Sequence, residues 1–308
     1  MSGDEPMRSP DLRSLPVGNG RTPFVFEFDS GRAGPVVLIN GLLHGNEPCG
    51  AAAIQFLLEC RVRPLRGRLI LTLANVAAYD APEPKRFVDR DMNRIWSRGV
   101  LSDEPTCSEI ERARALLPYY EQAEFLLDLH STAFPVRAMT YFKNLQKAEA
   151  LALRIGDPPC HVVTPGALHA GIPLFEFDKF GNAASPAVAL LVECGQHRAQ
   201  ASADTAIRVS LKFLVTLGLL DAGALESVPP APEQEAGQYR VFDVIRARTA
   251  EFQFVRTLLG FEEFAKDELI AIDGDRELRA ACHRCTVIMP QRTIVKDREV
   301  VTLARRMD

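Results

Sequence analysis

The 308-residue sequence lacks the features that mark several large classes of protein. No apolar run approaches the length of a membrane-spanning helix. The formal net charge is only −4, which gives no basic surface for nucleic acid. The seven cysteines are odd in number and scattered, so they do not form a disulfide framework. Residues 1–6 are polar and acidic with no apolar signal core, which predicts a cytoplasmic protein.

What the sequence does contain is an alternation of strand-like and helical patterns. Hydrophobic residues make up 47% and charged residues 25%, an ordinary composition for a soluble globular protein. Apolar runs predict strands, and amphipathic patterns predict helices between them. This alternation predicts an α/β fold with a mixed, largely parallel central sheet flanked by helices. The predicted strands cover 36–40, 69–73, 125–129 and 187–192, and the predicted helices cover 48–60, 104–120, 145–155 and 203–219.

The pattern changes toward the C-terminus. Residues 221–238 are rich in Ala, Pro and Glu, which is typical of a linker. Short runs of alternating apolar and polar residues follow, and these predict a smaller antiparallel β-domain. We therefore expect a catalytic domain over 1–225 and a C-terminal β-domain over 238–308.

Two apolar strands are each followed or ended by candidate metal ligands. The segment at His44 and Glu47 follows the run 36–40, and His130 closes the run that begins at Phe125. Two histidines and one glutamate are ligand types that Zn²⁺ takes in catalytic sites, where a fourth position stays open for water. Because ligands of open α/β sheets bind beyond the carboxyl ends of strands, we expect these three side chains to meet at one sheet edge and to bind one zinc ion per chain.

A third apolar strand ends in a carboxylate. Glu193 directly follows the run 187–192. A buried charge of this kind needs a cation, a hydrogen-bond donor or water. Beside a metal-activated water Glu193 would act as general base, whereas in the structural alternative it would pair with Arg198.

A charged segment lies between the two halves of the predicted metal site. It runs over residues 86–94 and includes Arg86, Asn93 and Arg94. Arginine binds carboxylates through a bidentate fork, and it can also stabilise an oxyanion. The simpler interpretation is a surface loop with internal salt bridges.

In combination, these motifs resemble the succinylglutamate desuccinylase/aspartoacylase family, a branch of the zinc carboxypeptidase-like hydrolases. The resemblance rests on four stretches between residues 36 and 195, each in the expected order. They are His44-Gly-Asn-Glu47-Pro-Cys-Gly50, Asp91-Met-Asn93-Arg94, Asp128-Leu-His130-Ser131-Thr132 and Val192-Glu193-Cys-Gly195.

The resemblance implies a role for each matched residue. His44, Glu47 and His130 would bind zinc, and Glu193 would activate the water. Asn93 and Arg94 would hold a substrate carboxylate, while Arg86 would polarise the scissile carbonyl. Asp128 would orient the last zinc ligand.

The sequence departs from the aspartoacylase pattern at two places. Aspartoacylases carry an Arg shortly before the general base, which binds a second substrate carboxylate. Here the stretch 166–186 contains no Arg, and its only basic side chains are His169 and Lys179. They also use a Tyr from the C-terminal domain, and this chain has no Tyr after Tyr239. The resemblance therefore implies the reaction chemistry more firmly than it implies a particular substrate.

The sequence predicts a zinc-dependent amidohydrolase that cleaves the N-acyl group from a small N-acyl amino acid or similar carboxylate. Its expected partner is that small molecule, and we expect it to bind neither nucleic acid nor a membrane. A homo-oligomer is compatible with the sequence. One alternative is a zinc carboxypeptidase acting on peptides. The other is a metal-binding relative without turnover, which the presence of Glu193 argues against.

Overall fold

The structure is a computed structural model that describes residues 5–226, 228 and 230–307. The first residues of the predicted cytoplasmic N-terminus and Pro229 of the predicted linker lie outside the described residues. Within the described ranges, no helix combines the length and the apolar character needed to cross a bilayer.

The secondary structure follows the predicted alternation. The strands, in chain order, are β1 Val25–Asp29, β2 Val36–Gly41, β3 Arg68–Leu73, β4 Phe125–Thr132, β5 Met139–Lys143, β6 Cys160–Thr164, β7 Val188–Gln196, β8 Gly237–Arg246, β9 Gln253–Phe254, β10 Glu263–Phe264, β11 Leu269–Asp273, β12 Arg276–Arg279, β13 Cys285–Ile288 and β14 Glu299–Met307. The α-helices are α1 Cys49–Glu59, α2 Val76–Tyr79, α3 Arg98–Asp103, α4 Ser108–Gln122, α5 Gln146–Ile155 and α6 Gln200–Thr216.

Eleven of these strands form one mixed sheet within the described part of the chain, in the order β1-β3-β2-β4-β7-β5-β6-β8-β14-β13-β10. Its centre is largely parallel, because β3, β2, β4 and β7 pair in the same direction. This confirms the α/β class and the largely parallel centre of the predicted sheet. The shorter β9, β11 and β12 form a separate antiparallel sheet.

Both faces of the sheet are buried, which explains why the central strands are continuous apolar runs. Side chains of a strand alternate between faces, so Val37 and Ile39 of β2 pack into one core cluster while Leu38 packs into the other. Helices α1, α5 and α6 contribute to the first cluster, and α4 contributes to the second. The result is a three-layer arrangement with helices on both faces of the sheet.

Strand register brings the predicted site residues to one edge. In the parallel β2–β4 pair, Asn40 lies opposite Asp128. In the parallel β4–β7 pair, His130 lies opposite Glu193. The carboxyl ends of three adjacent strands therefore deliver the metal-site and general-base candidates together, as expected for an open α/β sheet.

The C-terminal β region exists as predicted, and its longest strands extend the main sheet. β8 pairs in parallel with β6 and antiparallel with β14. The main sheet thus contains strands from both sides of the predicted linker. The division into domains over 1–225 and 238–308 stays a prediction.

Candidate metal centre and active site

Three buried side chains converge beyond the ends of β2 and β4. The Nδ1 atoms of His44 and His130 each lie 2.9 Å from a different carboxylate oxygen of Glu47. One ligand atom from each of the three residues lies within 4.8 Å of the others. The exposed fraction of each residue is at most 2%. The structure therefore brings together the three residues predicted as zinc ligands.

The outer nitrogen of each histidine has its own carboxylate partner. His44 Nε2 lies 3.1 Å from Asp91 Oδ1, and His130 Nε2 lies 2.9 Å from Asp128 Oδ2. Asp128 is itself fixed by a 2.7 Å hydrogen bond that Asn40 donates. An imidazole that donates its outer N–H to a carboxylate presents its other nitrogen as a lone pair, which is how metal-binding histidines are oriented. The donor set and this outer arrangement fit a divalent zinc ion.

Glu47 is held in the charged form that a metal ligand requires. Burial disfavours the carboxylate, but the neighbouring imidazoles of His44 and His130 hold its pKa well below its usual range. Its Oε2 also accepts a hydrogen bond from the backbone N–H of Ser131, at 3.1 Å. The Glu47 carboxylate is thus ionised and fixed by neighbours on both sides.

Glycines allow the close approach that builds this edge. A Cβ on Gly41, at the end of β2, would lie 2.7 Å from the backbone of Gly50 in α1. A Cβ on Gly45, between the first two ligands, would lie 2.4 Å from the backbone at Ala78. Real side chains do not fit at such distances, so the glycines let α1 and α2 pack directly against the ligand loop.

Glu193 faces the same centre as a carboxylate with an unpaired oxygen. Its Oε2 is buried and has no hydrogen-bond partner among the described residues. Burial, together with the negative charge of Glu47, raises the pKa of Glu193 to about 8. Arg198, the partner in the structural alternative, is exposed and makes no ion pair with it in the described part of the chain. Carboxyl groups with strongly shifted pKa values are concentrated at functional sites.

Arg86 lies beside the metal-ligand cluster. Its Nη1 is 3.6 Å from Glu47 Oε1, and its Nε donates a 3.1 Å hydrogen bond to Asp91. The same Asp91 carboxylate accepts from the backbone N–H of Asn93 at 2.9 Å and contacts His44. Asp91 therefore connects the candidate ligand His44, Arg86 and the following turn. Asp91 lies in one of the four matched motifs, but its sequence context does not predict this role.

Asn93 and Arg94 lie on a short 3-10 turn, Met92–Arg94, at the wall of the same cavity. The amide oxygen of Asn93 accepts from the backbone N–H of Leu174, at 2.9 Å, so its amide nitrogen is the end left to donate. Arg94 donates from Nη1 to the Asn93 carbonyl and from Nη2 to Glu299, at 2.9 and 3.0 Å. Both residues predicted to hold a carboxylate thus line the cavity.

A buried carboxylate on α4 holds the segment that carries these residues. Glu109 accepts hydrogen bonds from the backbone N–H groups of Val88, Asp89 and Arg90, at 2.7 to 3.0 Å. It also accepts from the side chain of Asn75, at 3.0 Å. Glu109 is fully buried, so these bonds fix a loop that would otherwise be free to move. Its position at the start of an amphipathic helix gave no signal of this role.

The site opens into a cavity of about 880 Å³. The ligands and Glu193 lie with the 86–94 segment on its polar side, and residues of the C-terminal strands complete its walls. Tyr141 of β5 also lines the cavity, with a buried hydroxyl that has no partner among the described residues. His169 lines it as well, whereas Lys179 binds the backbone of Glu121. Apolar residues cover other walls: Val136, Phe175, Leu191, Leu258, Leu259 and Met289.

Comparison with known proteins points in the same direction. The family model described as the Succinylglutamate desuccinylase/Aspartoacylase catalytic domain matches residues 33–155, a range that contains all three candidate ligands. Residues 33–155 are thus similar to the catalytic domain of this family.

Relatives within this family match different shares of the chain. A succinylglutamate desuccinylase of Pseudoalteromonas atlantica is 24% identical over 295 residues, which covers 87% of this chain and 80% of that protein. An N-acyl-aromatic-L-amino acid amidohydrolase (carboxylate-forming) of Xenopus laevis is 30% identical over 143 residues, covering 41% of this chain. The chain matches only 46% of the length of that amidohydrolase.

The fold matches a solved member of the family. The crystal structure of succinylglutamate desuccinylase from Vibrio cholerae superposes with a TM-score of 0.71 at 17% identity. The match covers 92% of this chain and 85% of that one. The shared fold thus includes the C-terminal strands as well as the metal-ligand region.

Proposed function

We propose that this protein is a zinc-dependent amidohydrolase that removes the acyl group from a small N-acyl amino acid. The observation that carries the proposal is the convergence of two imidazole nitrogens, one ionised carboxylate and the unpaired carboxylate of Glu193 at one cavity. The named relatives support this class, because they are desuccinylases and N-acyl amino acid amidohydrolases.

Zinc bound by His44, Glu47 and His130 would supply a Lewis acid and lower the pKa of water. Glu193 lies on the neighbouring strand, opposite His130, where it accepts a proton from the attacking water. It then returns that proton to the leaving amine. Asp91 and Asp128 keep the imidazoles in the required orientation throughout.

Arg86 and the 92–94 turn position the substrate in this proposal. Arg86 stabilises negative charge that develops on the scissile carbonyl oxygen. Asn93 and Arg94 hold the carboxylate of the amino acid, which sets the distance between that group and the reacting bond. Asp91 couples the two functions, because it contacts both Arg86 and the backbone of the turn.

The C-terminal residues that line the cavity favour a small substrate over a peptide. Arg246, Met289 and Glu299, all from the C-terminal region, line the same cavity as the metal ligands. A carboxypeptidase needs an open groove for the rest of its peptide, and these residues narrow that path. Cytoplasmic location and self-association stay predictions.

Hydrolysis of a panel of N-acyl amino acids tests the proposal. Purified zinc-loaded protein is expected to release the free amino acid from at least one N-acetyl-, N-formyl- or N-succinyl-amino acid, measured by amine detection. Arg94→Ala is expected to raise KM for cleaved substrates on the order of 100-fold with zinc content unchanged, because the substrate carboxylate loses its charged partner in a partly buried site. Equal losses for an N-acyl amino acid and for its carboxamide analogue would contradict the role of Arg94. Cleavage of peptides alone would favour the carboxypeptidase.

A further inference from the structure

A second cluster of charges lies in the cavity away from the metal ligands. The carboxylate of Glu299 is surrounded by Arg94, His169 and Arg246. It accepts from Arg94 Nη2 at 3.0 Å and lies 3.2 Å from His169 Nδ1 and 3.6 Å from Arg246 Nη2. All four residues line the cavity. No motif in the sequence predicts a role for Glu299, because this residue lies far along the chain from all of them.

The position of Glu299 is fixed by the fold. It is the first residue of β14, and strand register places it opposite Arg246 of β8. The turn that carries Arg94 is held against the loop that carries His169, because Ile95 and Ile172 form a β-bridge. A Cβ on Gly171 would lie only 2.1 Å from the Arg94 carbonyl oxygen, so the two segments pack too closely for any side chain at this position. Three separate parts of the chain therefore meet at this carboxylate.

The cluster has one more positive than negative charge, which a single substrate carboxylate would balance. Arg94 and Arg246 are permanently positive, and Glu299 is negative because His169 and Arg94 outweigh its burial and lower its pKa to about 2. Two of the five N–H groups of Arg94 are used by Asn93 and Glu299, which leaves donors for one further carboxylate. A second carboxylate placed in this cluster would lie beside the negative charge of Glu299.

The apolar part of the cavity lining supports the same conclusion. Val136, Phe175 and Met289 line the cavity with apolar surface. Burying a carboxylate against apolar side chains is unfavourable because its charge loses water without gaining a partner. An uncharged substituent can be buried there without this penalty.

We propose that Glu299 sets substrate specificity by admitting one substrate carboxylate and disfavouring a second. The substrates would be N-acyl derivatives of amino acids with uncharged side chains, in preference to N-acyl dicarboxylic amino acids or N-succinyl substrates. This inference rests on the proposed function, because it assigns Arg94 to the carboxylate of the amino acid.

Substrates that differ only in charge test the proposal. The ratio of kcat/KM for N-acetylasparagine to that for N-acetylaspartate is expected to exceed 1 in the wild-type protein. Glu299→Gln is expected to lower this ratio on the order of 10- to 100-fold, since it removes a like charge from beside the second carboxylate. Glu299→Asp keeps the charge and is expected to keep the preference for the asparagine derivative.

Controls separate specificity from folding. Glu277→Gln removes an exposed, ion-paired glutamate of β12 that does not line the cavity, and it is expected to leave the ratio unchanged. The thermal midpoint of each variant reports whether the protein is folded. A wild-type preference for the dicarboxylate, or a ratio that Glu299→Gln leaves unchanged, would overturn the proposal.

Calorimetric binding of the same two compounds distinguishes the two proposals. If neither compound is hydrolysed while Glu299→Gln still shifts the binding ratio toward N-acetylaspartate, the specificity role stands and the proposed function fails for these substrates. If both are hydrolysed without a shift in either ratio, the specificity role fails and the proposed function stands.

Discussion

Glu193→Gln is expected to abolish turnover while zinc and substrate binding persist. Glutamine keeps the shape of the side chain and one acceptor oxygen, but it cannot accept a proton at neutral pH. General-base catalysis contributes about 10²- to 10⁴-fold, so kcat should fall by at least that factor with little change in KM. The unpaired, buried Oε2 of Glu193 motivates this expectation, because a merely structural carboxylate would have a partner.

The measurement combines kcat, zinc content and thermal midpoint for the same preparation. Glu111→Gln is a matched control, since it changes an exposed glutamate on α4 outside the cavity. It is expected to retain full activity. A stable, zinc-replete Glu193→Gln protein with nearly normal kcat would contradict the assignment of the general base.

His44→Ala is expected to remove zinc binding and, with it, activity. Loss of a neighbour that only orients a ligand costs about 10- to 100-fold in metal affinity, and loss of a ligand should cost more. The substitution also leaves Glu47 and Asp91 each without one cationic or donor partner. The fold should persist, because the apolar sheet core does not depend on the metal cluster.

Metal analysis after dialysis against a zinc buffer measures this effect, with far-ultraviolet circular dichroism as the test of folding. His283→Ala provides the control, because His283 is exposed in the C-terminal region and does not line the cavity. Stoichiometric zinc of unchanged affinity in folded His44→Ala would show that the ligand assignment is wrong.

The parts of this site that follow strands could be predicted from the sequence. Buried parallel strands must be apolar on both faces, so His130 and Glu193 stand out where such runs end. His44 and Glu47 stand out in the same way after β2. The carboxyl ends of parallel strands lie at the same edge of a sheet. The alternation of strands and helices therefore predicted that these four side chains would lie close together, without any knowledge of strand register.

The remaining residues depend on contacts that the local pattern does not encode. Glu299 reaches Arg94 across 205 positions of the chain, and Glu109 reaches the 88–90 backbone from a helix. Alternating residues in the C-terminal region predicted β-structure, but they did not indicate that β8 would pair with β6 of the main sheet. Sequence periodicity reports which face of a strand is buried, whereas pairing partners depend on tertiary packing.

The central claim is that hydrolysis depends on zinc held by His44, Glu47 and His130. Titration of chelator-treated wild-type protein with zinc tests it most directly, with N-acyl amino acid hydrolysis measured against bound metal. Activity is expected to be absent without metal and to rise linearly until one zinc ion is bound per chain. Full hydrolytic activity in protein that contains no metal would contradict the account.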